Sequence, residues 1–228
     1  MTELLHPQAR IIDLGNGRTY AGEELTDLVD AAAEQFAADT ARRWIAGAPA
    51  GIVLALTPTD APAVTRYLGA LTAGRTVALL DPQTPRSALV DLVDRLTPPL
   101  VTGVDAAQPP AGYRAAQLPA LGRHWSRTAP GGAPPPPDTA VVLSTGGRVG
   151  APTLVALSAT ALHDNADAVA GRLGVHAGML AAHTQPLYTV QGLSTLNAHL
   201  LRGATVLLDP ATPPLSPSPV RAAAAPAH

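Results

Sequence analysis

Residues 143–152 are the part of the sequence whose residue types could do chemistry. They follow a short apolar run and read Leu-Ser-Thr-Gly-Gly-Arg-Val-Gly-Ala-Pro. Glycines let a bulky oxyanion approach the main chain, whose N–H groups can then donate to it. Arg148 offers a charge-assisted, bidentate donor to a phosphate oxygen. The segment is a candidate phosphate-binding loop, and a plain turn is the alternative because glycine-rich strand ends are common.

The chemistry open to this segment is limited by the rest of the composition. Its spacing matches neither G-x-x-x-x-G-K-[ST] nor G-x-G-x-x-G followed by a helix. All 15 basic residues are arginine, so a mechanism that requires lysine is excluded. Cysteine is absent as well, which excludes disulfides, thiolate nucleophiles and thiolate metal sites.

Other candidate residues have simpler explanations. Ser158 lacks a G-x-S-x-G context and is better explained as a helix N-cap than as a nucleophile. Asp81 and Asp94 are isolated carboxylates without a partner for acid–base work. The basic cluster at residues 42–44 is short, so it indicates solvated surface rather than a nucleic-acid contact. No metal site is predicted, because H-x-H and H-x-x-x-H spacings are absent among His163, His176, His183 and His199.

Size and charge place the chain in a broad class. Its 228 residues are 46% hydrophobic, enough for a sizeable core, and the net charge of -2 predicts no polyanionic partner. The first residues lack the basic and apolar regions of a signal peptide, and no apolar run is long enough to span a bilayer. We therefore expect a cytoplasmic protein without a membrane or nucleic-acid partner.

The elements that must position the loop follow from hydrophobic periodicity. From about residue 50 short apolar runs alternate with helical patterns, which predicts an α/β fold with parallel sheets flanked by helices. Before that point, a hairpin around Asn16 precedes a helix over 21–39. Thr84 is predicted to cap a helix that ends before Pro98. The other predicted strands are 51–56, 76–80, 140–143, 154–157, 180–183 and 204–208, and the later helices are 159–173 and 193–201.

Composition divides the chain into four parts. Residues 1–104 are predicted to form a first α/β subdomain. Residues 105–138 are rich in Pro, Gly and Ala and predict a long irregular connection. Residues 139–209 form a second α/β portion that contains the loop. Residues 210–228 are rich in Pro and Ala and predict a disordered tail.

Five segments in order resemble motifs of the adenylate-forming (AMP-binding) ligases, the superfamily of acyl-CoA synthetases and adenylation domains. Residues 145–162 resemble T-S-G-T-T-G-x-P-K-G-V-x-L-S-H-x-x-L without a gap, and residues 71–82 resemble L-x-A-G-x-x-x-V-P-L-D-P. Residues 18–25 resemble T-Y-x-E-L with one extra residue. Residues 186–193 resemble P-L-F-H-x-x-G-L, and residues 200–206 resemble L-x-x-G-A-x-V. The resemblance implies the N-terminal portion of such a ligase. In segment 145–162 the residues that match the family motif are Thr145, Gly147, Gly150, Pro152, Val155, Leu157, Ser158 and Leu162.

The resemblance also implies a reaction and its partners. In these ligases a carboxylate attacks the α-phosphorus of ATP, with Mg²⁺, to give an acyl-adenylate and pyrophosphate, and the acyl group then passes to CoA or a carrier protein. The acyl pocket would involve Thr189, Gln191 and Gly192. The ATP phosphates would lie against Thr145, Gly146, Gly147, Arg148, Gly150 and Thr153.

The sequence departs from the family at functional positions, and two functions stay open. Gly146, Arg148 and Val149 replace hydroxyl residues of the loop, Thr153 replaces its lysine, and Thr189 replaces a histidine near the acyl pocket. The adenine motif Y-G-x-T-E and the small C-terminal domain are missing, so we expect exposed apolar surface and either a partner chain or self-association. One function is an acyl-CoA synthetase-like ligase that is incomplete or inactive as a lone chain. The other is a non-catalytic module, without a cofactor, that binds an acyl ligand, a nucleotide or a protein.

Overall fold

The computed structural model describes residues 4–45, 47, 50–105, 108–129, 132–145 and 153–210. The predicted phosphate loop, residues 146–152, and the predicted tail after residue 210 lie outside them. The helices are α1 Gly22–Ile45, α2 Ala61–Thr72, α3 Arg86–Leu96, α4 Ala159–Leu173 and α5 Val190–Leu201. The strands are β1 Arg10–Asp13, β2 Arg18–Ala21, β3 Val53–Leu56, β4 Val77–Leu80, β5 Leu100–Thr102, β6 Tyr113–Leu118, β7 Gly122–Arg127, β8 Thr139–Thr145, β9 Thr153–Ser158, β10 Leu180–His183 and β11 Thr205–Leu208.

The strands form two sheets flanked by helices, and the α/β prediction is confirmed. The smaller sheet has the order β10-β11-β1-β2, and the larger sheet has the order β6-β7-β5-β3-β4-β8-β9. Strands β5, β3, β4 and β8 are parallel, as are β10, β11 and β1. Antiparallel strands form one edge of the smaller sheet and both edges of the larger sheet, so both sheets are mixed rather than purely parallel.

Two hydrophobic clusters cover the faces of the larger sheet. One joins side chains of α1, α2, α4 and α5 to one face of that sheet and to the smaller sheet. The other packs α3 and Trp125 against the opposite face. Each sheet contains strands from both sides of the predicted 105–138 connection, so the two α/β portions share a core. Among the described residues, no helix has the length and apolar character needed to cross a membrane.

Most of the helices begin or end at residues that are suited to capping. Ser158 accepts a hydrogen bond from the Ala161 N–H at the start of α4, and Gly174 ends that helix in the left-handed conformation. Both features make α4 coincide with its prediction. The predicted N-cap at Thr84 is wrong, because Pro85 occupies that position without a side-chain bond. The Thr84 hydroxyl instead donates to the Asp81 carbonyl at 2.6 Å.

The prediction of an irregular connection is wrong over residues 113–127. Strands β6 and β7 form an antiparallel hairpin there, and β7 pairs with β5 at the edge of the larger sheet. Gln35 on α1 accepts hydrogen bonds from the Ala120 and Leu121 N–H groups at 3.2 Å each. The hairpin is therefore part of the fold and is tied to the first helix.

A buried carboxylate joins α1 to the strand ends of the larger sheet. Asp39 Oδ2 lies 2.9 Å from Arg43 Nε and 3.2 Å from Arg75 Nη1. Arg43 also donates to the Pro99 carbonyl at 3.1 Å, and Arg75 donates to the Ala50 carbonyl at 2.7 Å. Charges removed from water are costly unless they are paired and hydrogen-bonded. These contacts make Asp39 the shared counter-ion of two buried guanidinium groups.

We expect His183 to make the folded state less stable as the pH falls from about 6.5 to about 4. His183 lies buried on β10, and its Nε2 has no hydrogen-bond partner among the described residues. Burial, with a smaller contribution from His199, lowers the pKa of His183 to about 4 from its ordinary value of 6.5. The unfolded chain therefore takes up the proton at higher pH than the folded chain does. The shift corresponds to roughly 3 kcal/mol of stability lost across this window.

Urea unfolding at a series of pH values tests this expectation. The variant His183→Gln should show a smaller loss of unfolding free energy between pH 7 and pH 4 than the wild type. His176→Gln is the matched control, because His176 is exposed. A pH profile that His183→Gln leaves unchanged would contradict the role of His183.

Candidate functional site

The carboxyl ends of the parallel strands define one edge of the larger sheet. Strands β3, β4 and β8 run side by side in the same direction and end at Leu56, Leu80 and Thr145. In open α/β sheets, ligands bind in the crevice outside these ends. The predicted phosphate loop leaves β8 at this edge, so the topology places its first residue where a ligand site is expected.

Strands β8 and β9 form the frame of the predicted phosphate loop. They pair antiparallel, and Thr145 lies opposite Thr153 in the register. The predicted phosphate-binding residues Thr145 and Thr153 are thus the paired strand residues next to the loop. The predicted residues between them, Gly146, Gly147, Arg148 and Gly150, lie outside the described part of the chain.

The start of α5 carries the residues predicted for an acyl pocket. Thr189 is the N-cap: its hydroxyl accepts from the Gly192 N–H at 3.0 Å and donates to the Pro186 carbonyl at 2.8 Å. Gly192 is buried, and a Cβ built there would lie too close to the Pro186 carbonyl oxygen. Gln191 is exposed. The structure therefore gives Thr189 and Gly192 a structural role in the approach to α5.

Tyr188 and Asp81 meet at the same edge. Asp81 follows β4 directly, and its carboxylate accepts from the Gln83 N–H at 2.8 Å. Tyr188 precedes the cap of α5. Partial burial, a hydrogen bond with Asp81 and the negative charge of that carboxylate raise the pKa of Tyr188 to about 12. The phenol therefore stays protonated at neutral pH and acts as a hydrogen-bond donor.

A pocket of about 220 Å³ opens beside the first turns of α5. Val190, Leu193, Ser194 and Asn197 on α5 line one wall, at the i, i+3, i+4 and i+7 spacing of one helix face. The opposite wall comes from β8, β9 and α4, through Leu143, Leu157, Ala161, Leu162 and Asn165. Thr189, Gln191 and Gly192 do not line this pocket. The helical spacing is the sequence signal that could have identified the lining residues.

The pocket is mainly apolar and has a few polar groups. Asn197 is buried, and its amide group hydrogen-bonds the Tyr67 hydroxyl, with Nδ2 3.0 Å from the oxygen. Pockets for small molecules are typically apolar with a few polar groups that orient the ligand, and about 300–1,000 Å³ in volume. This pocket lies below that range, so it has room only for a small group. Among the described residues, no group of three or more His, Cys, Asp or Glu side chains is placed to hold a metal ion.

The fold is shared with several solved structures. MatB from Rhodopseudomonas palustris aligns with a TM-score of 0.66 and 18% identity over 91% of this chain. VinN aligns with a TM-score of 0.64 and 19% identity over 87%, and E. coli MenE with bound OSB-AMS with 0.61 and 20% over 89%. The chain has the fold of adenylate-forming ligases. Its arrangement matches their N-terminal domains, as the sequence resemblance predicts.

The chain covers only part of the length of the structures that it matches. The chain spans 44% of MatB, 51% of VinN and 43% of MenE. No protein-family profile matches the chain, and no curated protein matches it in sequence. The likeness to adenylate-forming ligases is therefore carried by the backbone arrangement together with the five short segments described above.

Proposed function

We propose that the chain binds ATP and a small carboxylic acid at the carboxyl edge of the larger sheet, as an acyl-CoA synthetase-like protein. The observation that carries the proposal is the β8–β9 hairpin, which has Thr145 and Thr153 paired at that edge and also lines the pocket on α5 through Leu143 and Leu157. A phosphate-binding loop and an acyl pocket would then be neighbours. A structure of VinN with L-aspartate and an ATP-bound structure of MatB, which share the fold, support both ligand classes.

The chemistry of the proposal is acyl-adenylate formation. A carboxylate oxygen forms a bond to the α-phosphorus of ATP, the bond from that phosphorus to the bridging oxygen breaks, and pyrophosphate leaves. Positioning and electrostatic stabilisation provide most of the catalysis in such phosphoryl chemistry. The proposed phosphate ligands are the backbone of Gly146, Gly147 and Gly150, the hydroxyls of Thr145 and Thr153, and Arg148. Mg²⁺ would enter with the ATP phosphates, since it is usually held through substrate oxygens and water.

The altered loop favours binding over turnover by residues 1–228 alone. Thr153 stands where the family has a lysine, and Arg148 is not equivalent to lysine, because its guanidinium is planar and rigid. The second candidate function, a non-catalytic module that binds an acyl ligand, a nucleotide or a protein, rests on this observation. For the ligase we propose that a carboxylic acid is one ligand. CoA, a carrier protein, a partner chain and a cytoplasmic location remain expectations of the resemblance.

Gly150→Val is expected to weaken ATP binding by at least about tenfold, because a branched side chain would block approach of the phosphates to the main chain. Isothermal titration of the purified chain with ATP gives the dissociation constant. Circular dichroism of the same sample checks that the variant is folded. Gly171→Ala is the matched control, because no atom lies within 4 Å of the added Cβ. Equal ATP affinity in Gly150→Val and wild type would remove the loop from the proposed site.

Carboxylate-dependent exchange of pyrophosphate into ATP separates the two functions. Exchange by the chain, or by the chain with a complementing fragment, supports the ligase. ATP binding without exchange under both conditions supports the non-catalytic module. Thr153→Lys should strengthen ATP binding if the loop keeps the geometry of the family.

A further inference from the structure

The pocket beside α5 becomes more buried with distance from the carboxyl edge of the larger sheet. The contact between Tyr188 and Asp81 holds the start of α5 at that edge. Along the lining face of α5, Val190 is 59% exposed, Ser194 is half-buried and Asn197 is 1% exposed. The rise of an α-helix places Asn197 about 10 Å further along the axis than Val190. Asn197 therefore lies at the closed end of the pocket.

The polar groups of this pocket are uncharged. Among the lining residues that the structure describes, the polar side chains are those of Asn165, Ser194 and Asn197, and the others are apolar. A charged group that enters such surroundings loses its hydration without gaining a counter-ion. The pocket therefore disfavours a ligand with a second charge at the end that enters it.

Asn197 has more hydrogen-bonding capacity than its partner uses. Its Nδ2 and Oδ1 lie 3.0 Å and 3.2 Å from the Tyr67 hydroxyl oxygen, which is the one partner of this amide within the described part of the chain. Burial raises the pKa of Tyr67, so the hydroxyl stays protonated and the pair is uncharged. The amide nitrogen carries two N–H groups, and a single hydroxyl oxygen can accept from one of them. A buried N–H without an acceptor is costly, so the remaining N–H favours a ligand oxygen.

We propose that this pocket selects a short carboxylic acid whose far end carries an uncharged hydrogen-bond acceptor, such as a hydroxyl group. The remaining N–H of Asn197 donates to that oxygen, and the Ser194 hydroxyl lies one turn nearer to the mouth. Leu143, Leu157 and Leu193 contact the methylene groups between the two polar ends. The volume of about 220 Å³ limits the length of the acid. The inference rests on the proposed function, which places the carboxylate of the acid beside ATP at the carboxyl edge.

Calorimetric titration of the purified chain with three acids tests this selection. In 4-hydroxybutyrate the far end carries a hydroxyl group, and in pentanoate a methyl group replaces that hydroxyl. Succinate has a second carboxylate at its far end. We expect 4-hydroxybutyrate to bind about tenfold more tightly than either of the others, because a site that hydrogen-bonds a ligand hydroxyl disfavours an analogue without it. Succinate is disfavoured by the cost of burying its second charge.

Substitutions at Asn197 and Tyr67 assign the selection to the amide. Asn197→Leu combined with Tyr67→Phe removes both polar partners, so neither is left unpaired in the core. This double variant should bind pentanoate at least as tightly as 4-hydroxybutyrate. Tyr67→Phe alone keeps the amide and should keep the preference. Thr195→Ala is the matched control, because Thr195 lies on α5 but does not line the pocket. Circular dichroism checks that each variant is folded.

The outcomes separate this inference from the proposed function. Equal or tighter binding of pentanoate or succinate by the wild type would overturn the selection, while carboxylate binding would stand. A preference that persists in the double variant, or is lost in Thr195→Ala, would overturn the role of Asn197. No binding of any of the three acids at millimolar concentration would overturn both the selection and the carboxylate ligand of the proposed function. Gly150→Val should weaken ATP binding and leave the preference among the acids unchanged.

Discussion

Replacing Asp39 with alanine is expected to lower the free energy of unfolding by about 3–5 kcal/mol, because it leaves buried charges without a counter-ion. The side chains of Arg75, Asp39 and Arg43 are 1%, 6% and 9% exposed. Arg75 would keep its hydrogen bonds to Thr40 and to two carbonyl oxygens, but these are neutral partners. The carboxylate is the group that compensates both guanidinium charges.

Urea unfolding at neutral pH measures this effect. Glu34→Ala is the matched control, since Glu34 lies on an exposed position of α1. It should change stability by no more than about 0.5 kcal/mol, as is usual at surface positions. Asp39→Asn should fall between the two, because the amide can accept hydrogen bonds without carrying charge. A loss below about 1 kcal/mol for Asp39→Ala would show that water reaches these arginines.

Gly192→Ala is expected to destabilise the protein by about 3 kcal/mol or more, which is the upper end for added volume in a packed interior. The added Cβ would clash with the Pro186 carbonyl oxygen and would lie 2.7 Å from that of Gln185. Both neighbours are backbone atoms, so relief requires movement of the turn before α5. That turn contains the Thr189 cap, and its displacement would also disturb the α5 pocket.

Thermal and urea unfolding of two alanine variants test this packing. Gly171→Ala places the same substitution inside α4, where the added Cβ meets no atom within 4 Å. It should stabilise the protein by about 0.5–1 kcal/mol through helix propensity. Opposite signs for the two variants are the expected result. Equal effects would mean that the turn before α5 adapts freely to the added methyl group.

Elements with strong local signals were predictable from the sequence. Helix α4 has a serine cap, an apolar stripe and a terminal glycine, so its limits agree with the prediction. The β6–β7 hairpin was missed because β6 has no buried residue and neither strand shows a clear apolar alternation. It is fixed instead by pairing with β5 and by Gln35, contacts that local patterns do not reveal. Strand β5 was missed because it has three residues directly after two prolines.

The candidate site was predictable only in outline. The two strands that bracket the glycine-rich segment were predicted, and they place its ends at the carboxyl edge. The contact between Tyr188 and Asp81 was missed, because it joins residues far apart in the chain. Thr189 was considered only as a replacement for a histidine, whereas its hydroxyl caps α5.

The position of β1 in the smaller sheet has a consequence for biosynthesis. This strand lies between β2 and β11, and its register places Arg10 opposite Thr205. Contacts at such sequence separation slow folding, because a long loop must close before they form. During translation, β1 and β2 leave the ribosome before β11, the last strand described. The described strands of the smaller sheet can therefore all pair only after residue 208 has left the ribosome, and until then their apolar side chains are open to chaperones.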